Sequence, residues 1–190
     1  MTHISSIGAG IYSDLSFSVD ESAAKATAIA TPTFSNLALL FSSLQTVGST
    51  TETAGCYKRI ENIREFPAMG TPPNIVNVPT YGYKTSKQVQ GQADAPSFEV
   101  VLNFIPDQWI NTANYLGWYI LQARQMFFRF TLLNSVPSAY GSNAFSTANS
   151  QYFWLGKMEA LQINPQLTDA NQATLTISIQ SDFYGAFTGT

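Results

Sequence analysis

The chain is short of the groups that do acid–base and redox chemistry. Among 190 residues there is a single histidine, His3, and a single cysteine, Cys56. One cysteine excludes an internal disulfide. A lone histidine at a chain terminus argues against His-dependent triads and His-rich metal centres. Cys56 has no histidine to activate it and reads as a small buried or turn residue. The sequence contains no Walker motif, no Gly-x-Ser-x-Gly and no Asn-x-Ser/Thr sequon. The stretch Gly8-Ala9-Gly10 lacks the third glycine and the preceding strand of a dinucleotide fingerprint, so it reads as a hinge. No cofactor and no enzymatic activity are expected. No apolar run approaches the ~18 residues that cross a bilayer. The N-terminus has neither the charged start nor the apolar core of a signal peptide, so synthesis in the cytoplasm without membrane insertion is expected.

Charge is scarce as well. Asp, Glu, Lys and Arg make up 11% of the chain, against about 25% in soluble domains. A solitary domain needs a charged surface to stay dissolved. The shortage implies that much of the surface is covered, most simply by other copies of the same chain. The net charge is -3. The Lys and Arg residues are scattered apart from Lys58-Arg59, which leaves no clustered basic face to grip nucleic-acid phosphates.

What the chain does have is strand pattern. Ile11, Ser13, Leu15, Phe17 and Val19 alternate within 7–19. Ser18 to Glu21 offers a capping box before an Ala-rich run. That run suits a short helix ending before Pro32, or an extended arm, since Thr27, Ile29 and Thr31 are β-branched. Residues 56–66 read as a strand whose two faces are both partly wet. Its Glu61 and Glu65, interleaved with Lys58, Arg59 and Arg64, suggest ion pairing rather than paired catalytic acids. Phe98, Val100, Leu102 and Phe104 alternate with polar residues. Trp109, Ala113, Leu116, Ile120 and Ala123 recur at helical steps and predict a helix over 106–125, with Gly117 explained by a close contact. Strands follow at 126–133, at 152–163 with a bulge or kink at Gly156, and at 173–187. The aromatics Trp109, Trp118, Tyr119, Phe127, Phe128, Tyr152, Phe153 and Trp154 sit where a core or interface needs them. The expected fold is mainly β: an antiparallel sandwich or barrel flanked by one α-helix, α+β in the loose sense, with an extended N-terminal region over 1–55.

Two segments resist this reading. Residues 67–96 hold Pro67, Pro72, Pro73 and Pro79 with Gly70, Gly82 and Gly91, which predicts a long loop between early strands. Residues 134–151 form a second polar loop.

Ile60, Ile63, Gly70, Pro72, Ile75, Val78, Thr80, Gly91, Asp94 and the strand from Phe98 fall in an order that resembles the central segment of a known family. The later runs "FFRFTLLN" and "YFWLGKMEALQINPQLTDANQATLTISI" extend the likeness to residues 56–183. The family is the major tail tube proteins of long-tailed, lambda-like, non-contractile bacteriophages. The resemblance implies one structural tail-tube domain over 1–190, assembling as hexameric rings stacked into a tube through which DNA leaves the capsid. It implies a place in the virion tail, with tape measure, tail terminator and tail tip proteins as partners, and DNA passing without specific binding. It also implies that the 67–96 loop makes inter-ring contacts, through Gly70, Pro72, Ile75, Val78, Thr80, Tyr81, Tyr83, Lys84 and Lys87.

A channel that lets DNA slide must not be basic, because each neutralised phosphate adds affinity. Glu99 and Asn103 on one strand, and Thr174, Thr176, Ser178, Gln180 and Asp182 on another, have the chemistry of a lumen face. Other readings stay open: a stand-alone β-sandwich module whose loops bind a ligand, a tail terminator or completion ring, or a secretion-type tube.

Overall fold

Antiparallel pairing builds one large sheet. In the computed structural model, which describes residues 13–49, 53–68, 75–78, 87–90, 97–132 and 150–188, β1 (Asp14–Ser18) lies between β3 (Cys56–Ile60) and β8 (Met126–Leu132). β8 pairs with the long β9 (Ser150–Asn164), and β9 with β10 (Gln172–Ile179). β10 pairs with β7 (Phe98–Asn103), and β7 with β4 (Ile63–Glu65). Among the described residues only β2 (Ser43–Leu44) runs parallel to its neighbour, β3. β11 (Tyr184–Thr188) adds to the N-terminal half of β9. The order is β2-β3-β1-β8-β9-β10-β7-β4. The fold is mainly β.

The strand beside one end of that order, β3, is joined directly in the chain to the strand at the other end, β4. Only Glu61 and Asn62 separate β3 from β4, and three Cα–Cα steps reach no more than about 11 Å. The sheet must therefore curl until its edges meet, as in a barrel. Asn62 sits at the seam with φ 60°, a left-handed conformation that asparagine tolerates better than most residues. Its carbonyl accepts the Asn103 N–H at 2.9 Å.

The inner face of the curl is the main core. Leu15, Phe17, Val100, Leu102, Leu175 and Ile177 are among the side chains fully buried there. Trp154 stacks on Phe128 with ring centres 5.6 Å apart, and also meets Phe98 and Phe183. Aromatic pairs of this kind add about 0.5–1.5 kcal/mol each beyond area burial. Helix α3 (Leu116–Gln122) closes the core through Leu116 and Tyr119, and the Tyr119 ring meets Phe17 edge-on at 5.2 Å.

Part of the outer face is covered too. α1 (Ala23–Ala30) starts where Ser22 Oγ accepts the Ala24 N–H, and it ends before Pro32. α2 (Phe34–Leu39) starts at Thr33, whose hydroxyl accepts the Asn36 N–H. With Phe41 they seal a second core over Tyr57, Phe127, Phe153 and Leu155. Arg129 is buried beneath this cover, its guanidinium 4.6 Å from the Phe41 ring centre and 4.7 Å from that of Tyr57. Burial pushes its pKa down, while Tyr57 and Asp14 oppose the shift.

Several expectations are corrected. The N-terminal Ala-rich run is a helix, capped by Ser22 rather than Ser18. The 56–66 strand divides into β3 and β4: β3 is buried but for the half-buried Arg59, because the α1–α2 cover lies over one face and the core over the other, while Glu61, Arg64 and Glu65 beyond it are exposed as expected. The helix expected over 106–125 shrinks to a 3₁₀ turn at Pro106–Gln108 and α3. Asn114 at φ 70° interrupts it. Gly117 keeps the predicted close contact, since a Cβ there would collide with the Trp109 carbonyl oxygen. Gly156 is not a bulge. It lies on the regular β8–β9 ladder, and a Cβ on it would stand 2.5 Å from the Ser178 carbonyl oxygen. The 173–187 strand divides into β10 and β11. Within the 67–96 segment, expected as loop throughout, β5 (Ile75–Val78) and β6 (Lys87–Gln90) pair as a two-stranded antiparallel ladder.

Candidate functional site

The half of the outer face that no helix covers is the candidate site. β10 alternates strictly, with Ala173, Leu175, Ile177 and Ile179 buried and Thr174, Thr176 and Ser178 half-exposed on the other side. Register extends this polar row sideways. Thr176 stands opposite Glu99 and Gln172 opposite Asn103 on β7. Thr174 stands opposite Gln162 and Ser178 opposite Lys157 on β9. Val101 carries the row to Glu65 on β4. The two polar strand faces singled out in the sequence are therefore one continuous surface across β4, β7, β10 and β9.

The charge of this surface is set locally. A β-bulge between Thr176 and Ile177 shifts the register on β9 around Glu159. Ser178 Oγ donates to Glu159 Oε1 at 2.8 Å, and Lys157 Nζ lies 3.3 Å from the same oxygen. The Ser178 hydrogen bond, seconded by Lys157, holds the Glu159 carboxyl below its ordinary range. The ladder positions Glu65 and Glu99 and the bulged Glu159 thus stand against Lys157, whose ammonium is engaged by Glu159. Hydroxyls, amides and an excess of carboxylate face outward here, a surface that does not hold phosphates.

No family model matches the chain, and no curated protein matches it. Solved structures similar to it include two from phage-tail and related assemblies. One is a chain in the cryo-EM structure of the anti-feeding prophage baseplate: 10% identity, covering 68% of this chain and 85% of that one, TM-score 0.49. The other is the SPP1 tail tube, at 9% identity over 94% of this chain and 80% of that one, TM-score 0.48. At these identities and scores the role of the chain must be read from its own surfaces.

Two of the sequence candidates stand apart from the polar row. Gln180 and Asp182 lie beyond β10, where the chain bends. Gln180 N–H donates to the Leu155 carbonyl at 2.7 Å, and Ser181 Oγ accepts the Leu155 N–H at 2.8 Å. These bonds turn the backbone out of the ladder. Sequence reasoning missed Glu65, Lys157, Glu159 and Gln162, because strand register and the bulge leave no local signal. Of the loop candidates, Ile75 and Val78 fall in β5 and Lys87 in β6. Gly70, Pro72, Thr80, Tyr81, Tyr83 and Lys84 lie outside the described residues, as does nearly all of 134–151. Of the ions interleaved in 56–66, Arg59 pairs with Asp14 and Arg64 with Asp169, both at 2.6 Å, while among the described residues Glu61 and Glu65 join no ion pair. Among the described residues no group of three or more His, Cys, Asp or Glu is placed to hold a metal ion, and no helix is long and apolar enough to cross a membrane.

Proposed function

We propose that this chain is a structural virion protein that self-assembles into stacked hexameric rings, forming a phage tail tube of the lambda-like, non-contractile kind. In this reading the open polar face of β4, β7, β10 and β9 lines the conduit, and Glu99, Asn103, Thr174, Thr176 and Ser178 are the residues DNA passes. The observation that carries it is the division of the outer face. One half is sealed by α1 and α2, while the other keeps hydroxyls, amides and a carboxylate excess exposed. The low charged fraction of the whole chain, 11%, supports burial against other copies. The ordered positions from Ile60 to Asp94 support the same family. The segment 67–96 is the inter-ring element, and a two-stranded hairpin, marginal by itself in water, would gain most from docking on a neighbour. The tail terminator, tape measure and tip proteins are its partners, and the tail is its place in the particle.

Negative-stain microscopy and sedimentation of the concentrated protein test the assembly. Rings or tubes are expected, and a monomer at every concentration refutes it. Lysines placed together at Thr174, Thr176 and Ser178 test the conduit. Tubes should still form, since the buried face of β10 is untouched, but DNA ejection should slow, most at low salt where phosphate attraction is least screened. Unchanged ejection would remove this face from the lumen.

A further inference from the structure

We infer that residues 20–43 form a strap that unfastens as one unit while the barrel stays folded, with Gly55 as the buckle to which both of its ends are tied. The strap belongs to the free subunit and does not depend on the assembly proposed above.

Both ends of the segment converge on one residue. At the start, Asp20 Oδ2 accepts the Gly55 N–H at 2.7 Å. At the finish, the Gly55 carbonyl accepts the N–H groups of Ser42 at 3.0 Å and Ser43 at 2.9 Å. Gly55 holds φ 76°, a left-handed conformation that glycine adopts without strain. A Cβ there would collide with Ser42 Oγ and the Leu39 carbonyl oxygen. Between those ties, among the described residues, the backbone bonds of 21–41 stay inside the segment, and none of these residues joins a ladder. Lifting the segment therefore breaks no strand pairing. Further polar ties run through the exposed Glu21, which bridges Lys25 and Arg124, and through Lys25 Nζ, which donates to the Gln125 carbonyl. Pairs on an exposed carboxylate hold weakly.

Between its ends the strap is held down by packing, and that packing is thin. α1 and α2 have 8 and 6 residues, fewer than the ~12–15 a helix needs to persist alone in water. Of α1 only Ala28 is buried, and of α2 only Leu37; Leu40 and Phe41 complete the seal. The floor beneath is charged at its centre. Phe41 closes over the Arg129 guanidinium, so the shut strap keeps a cation from water, a cost that offsets part of the apolar gain. Lifting the strap returns Arg129 to water and uncovers Tyr57, Phe127, Phe153 and Leu155. The main core stays closed, since its side chains lie on the other face of the same strands. A segment with few buried contacts and no part in the sheet opens below the free energy of global unfolding. The sealed half of the outer face is thus a state of the subunit, one that it leaves without unfolding.

Native-state hydrogen exchange of the full chain, under conditions where closing outpaces exchange, reads the opening directly. The opening constants of the α1 and α2 amides should agree with each other and exceed those of β8 and β10 about a hundredfold. Gly156→Ala weakens the barrel and not the strap. It should raise the β8 and β10 constants about tenfold and leave those of the strap unchanged. Asp20→Asn loosens the tie at the start of the strap only. Yet α2, at the far end, should open about tenfold more, by the same factor as α1. Three results overturn the strap: constants equal to those of β8 and β10 in wild type, constants that rise with the barrel's in Gly156→Ala, or α2 constants unmoved by Asp20→Asn.

Discussion

Removing the Asp20 carboxylate should unfasten α1 from the sheet, by an amount that depends on pH in a defined way. Asp20 is 2% exposed. Its Oδ1 accepts the Ser22 N–H at 2.6 Å at the start of α1, and its Oδ2 accepts the Gly55 N–H at 2.7 Å at the start of β3. Burial alone would push this carboxyl up. The hydrogen bonds from Ser22 and Gly55, with Lys25 nearby, outweigh it and leave the pKa below the ordinary value. Asp20→Ala orphans both N–H groups, at a cost of about 2–3 kcal/mol. For a chain of this length that is a fall in Tm of roughly 5–10 °C. Asp20→Asn keeps one acceptor and should lose about half as much. Because the folded pKa is depressed, the stabilisation is fully present above the unfolded value of about 3.9 and vanishes as pH falls through the folded value. Chemical denaturation from pH 7 to pH 2.5 should show wild type and Asp20→Asn differing by a constant amount above about pH 5, then converging in acid. A gap that persists unchanged at pH 2.5, or no gap at pH 7, would refute the reasoning.

Gly156→Ala should destabilise the barrel by about 1–3 kcal/mol, since the new Cβ meets a backbone oxygen that cannot rotate aside; thermal melts against wild type check it, and an unchanged Tm would refute it. Ser178→Ala should raise the Glu159 pKa toward the ordinary glutamate range without changing the fold, because the leading hydrogen bond to that carboxylate is gone. An NMR titration of the Glu159 side chain reads this directly, and an unmoved midpoint would transfer the shift to Lys157.

Strict alternation was enough to place β10 and β7, because one face of each meets the core and the other meets water. It was not enough for β3, where a second layer buries both faces and a lysine, Lys58, is fully enclosed. Its Nζ donates to the carbonyls of Thr46 and Ser49. The stripe that suggested a long helix over 106–125 has the right period, yet Asn114 and a glycine in close contact decide the backbone there. The polar site was half legible. Thr174, Thr176, Ser178, Glu99 and Asn103 follow from alternation, whereas their neighbours on β9 and β4 depend on which strands pair. Gln180 lies just beyond the last paired residue, Ile179, and Asp182 continues the sequence rhythm past the point where Ser181 turns the chain away.

The strand order also sets a timetable for synthesis. β1 meets β3 early, but its other neighbour is β8, and Ser16 waits for Arg129, 113 positions later. The β9–β10 hairpin closes over a short turn only after that. Pairings so distant in sequence slow folding, since the entropy of a long loop is lost before any contact rewards it. Until β8 and β9 are made, a nascent chain therefore carries one edge of β1 unpaired and leaves α2 without Phe127 and Phe153 to pack on. The sheet is complete only once β9 and β10 are made, so a partly made chain lacks the polar face those two strands carry.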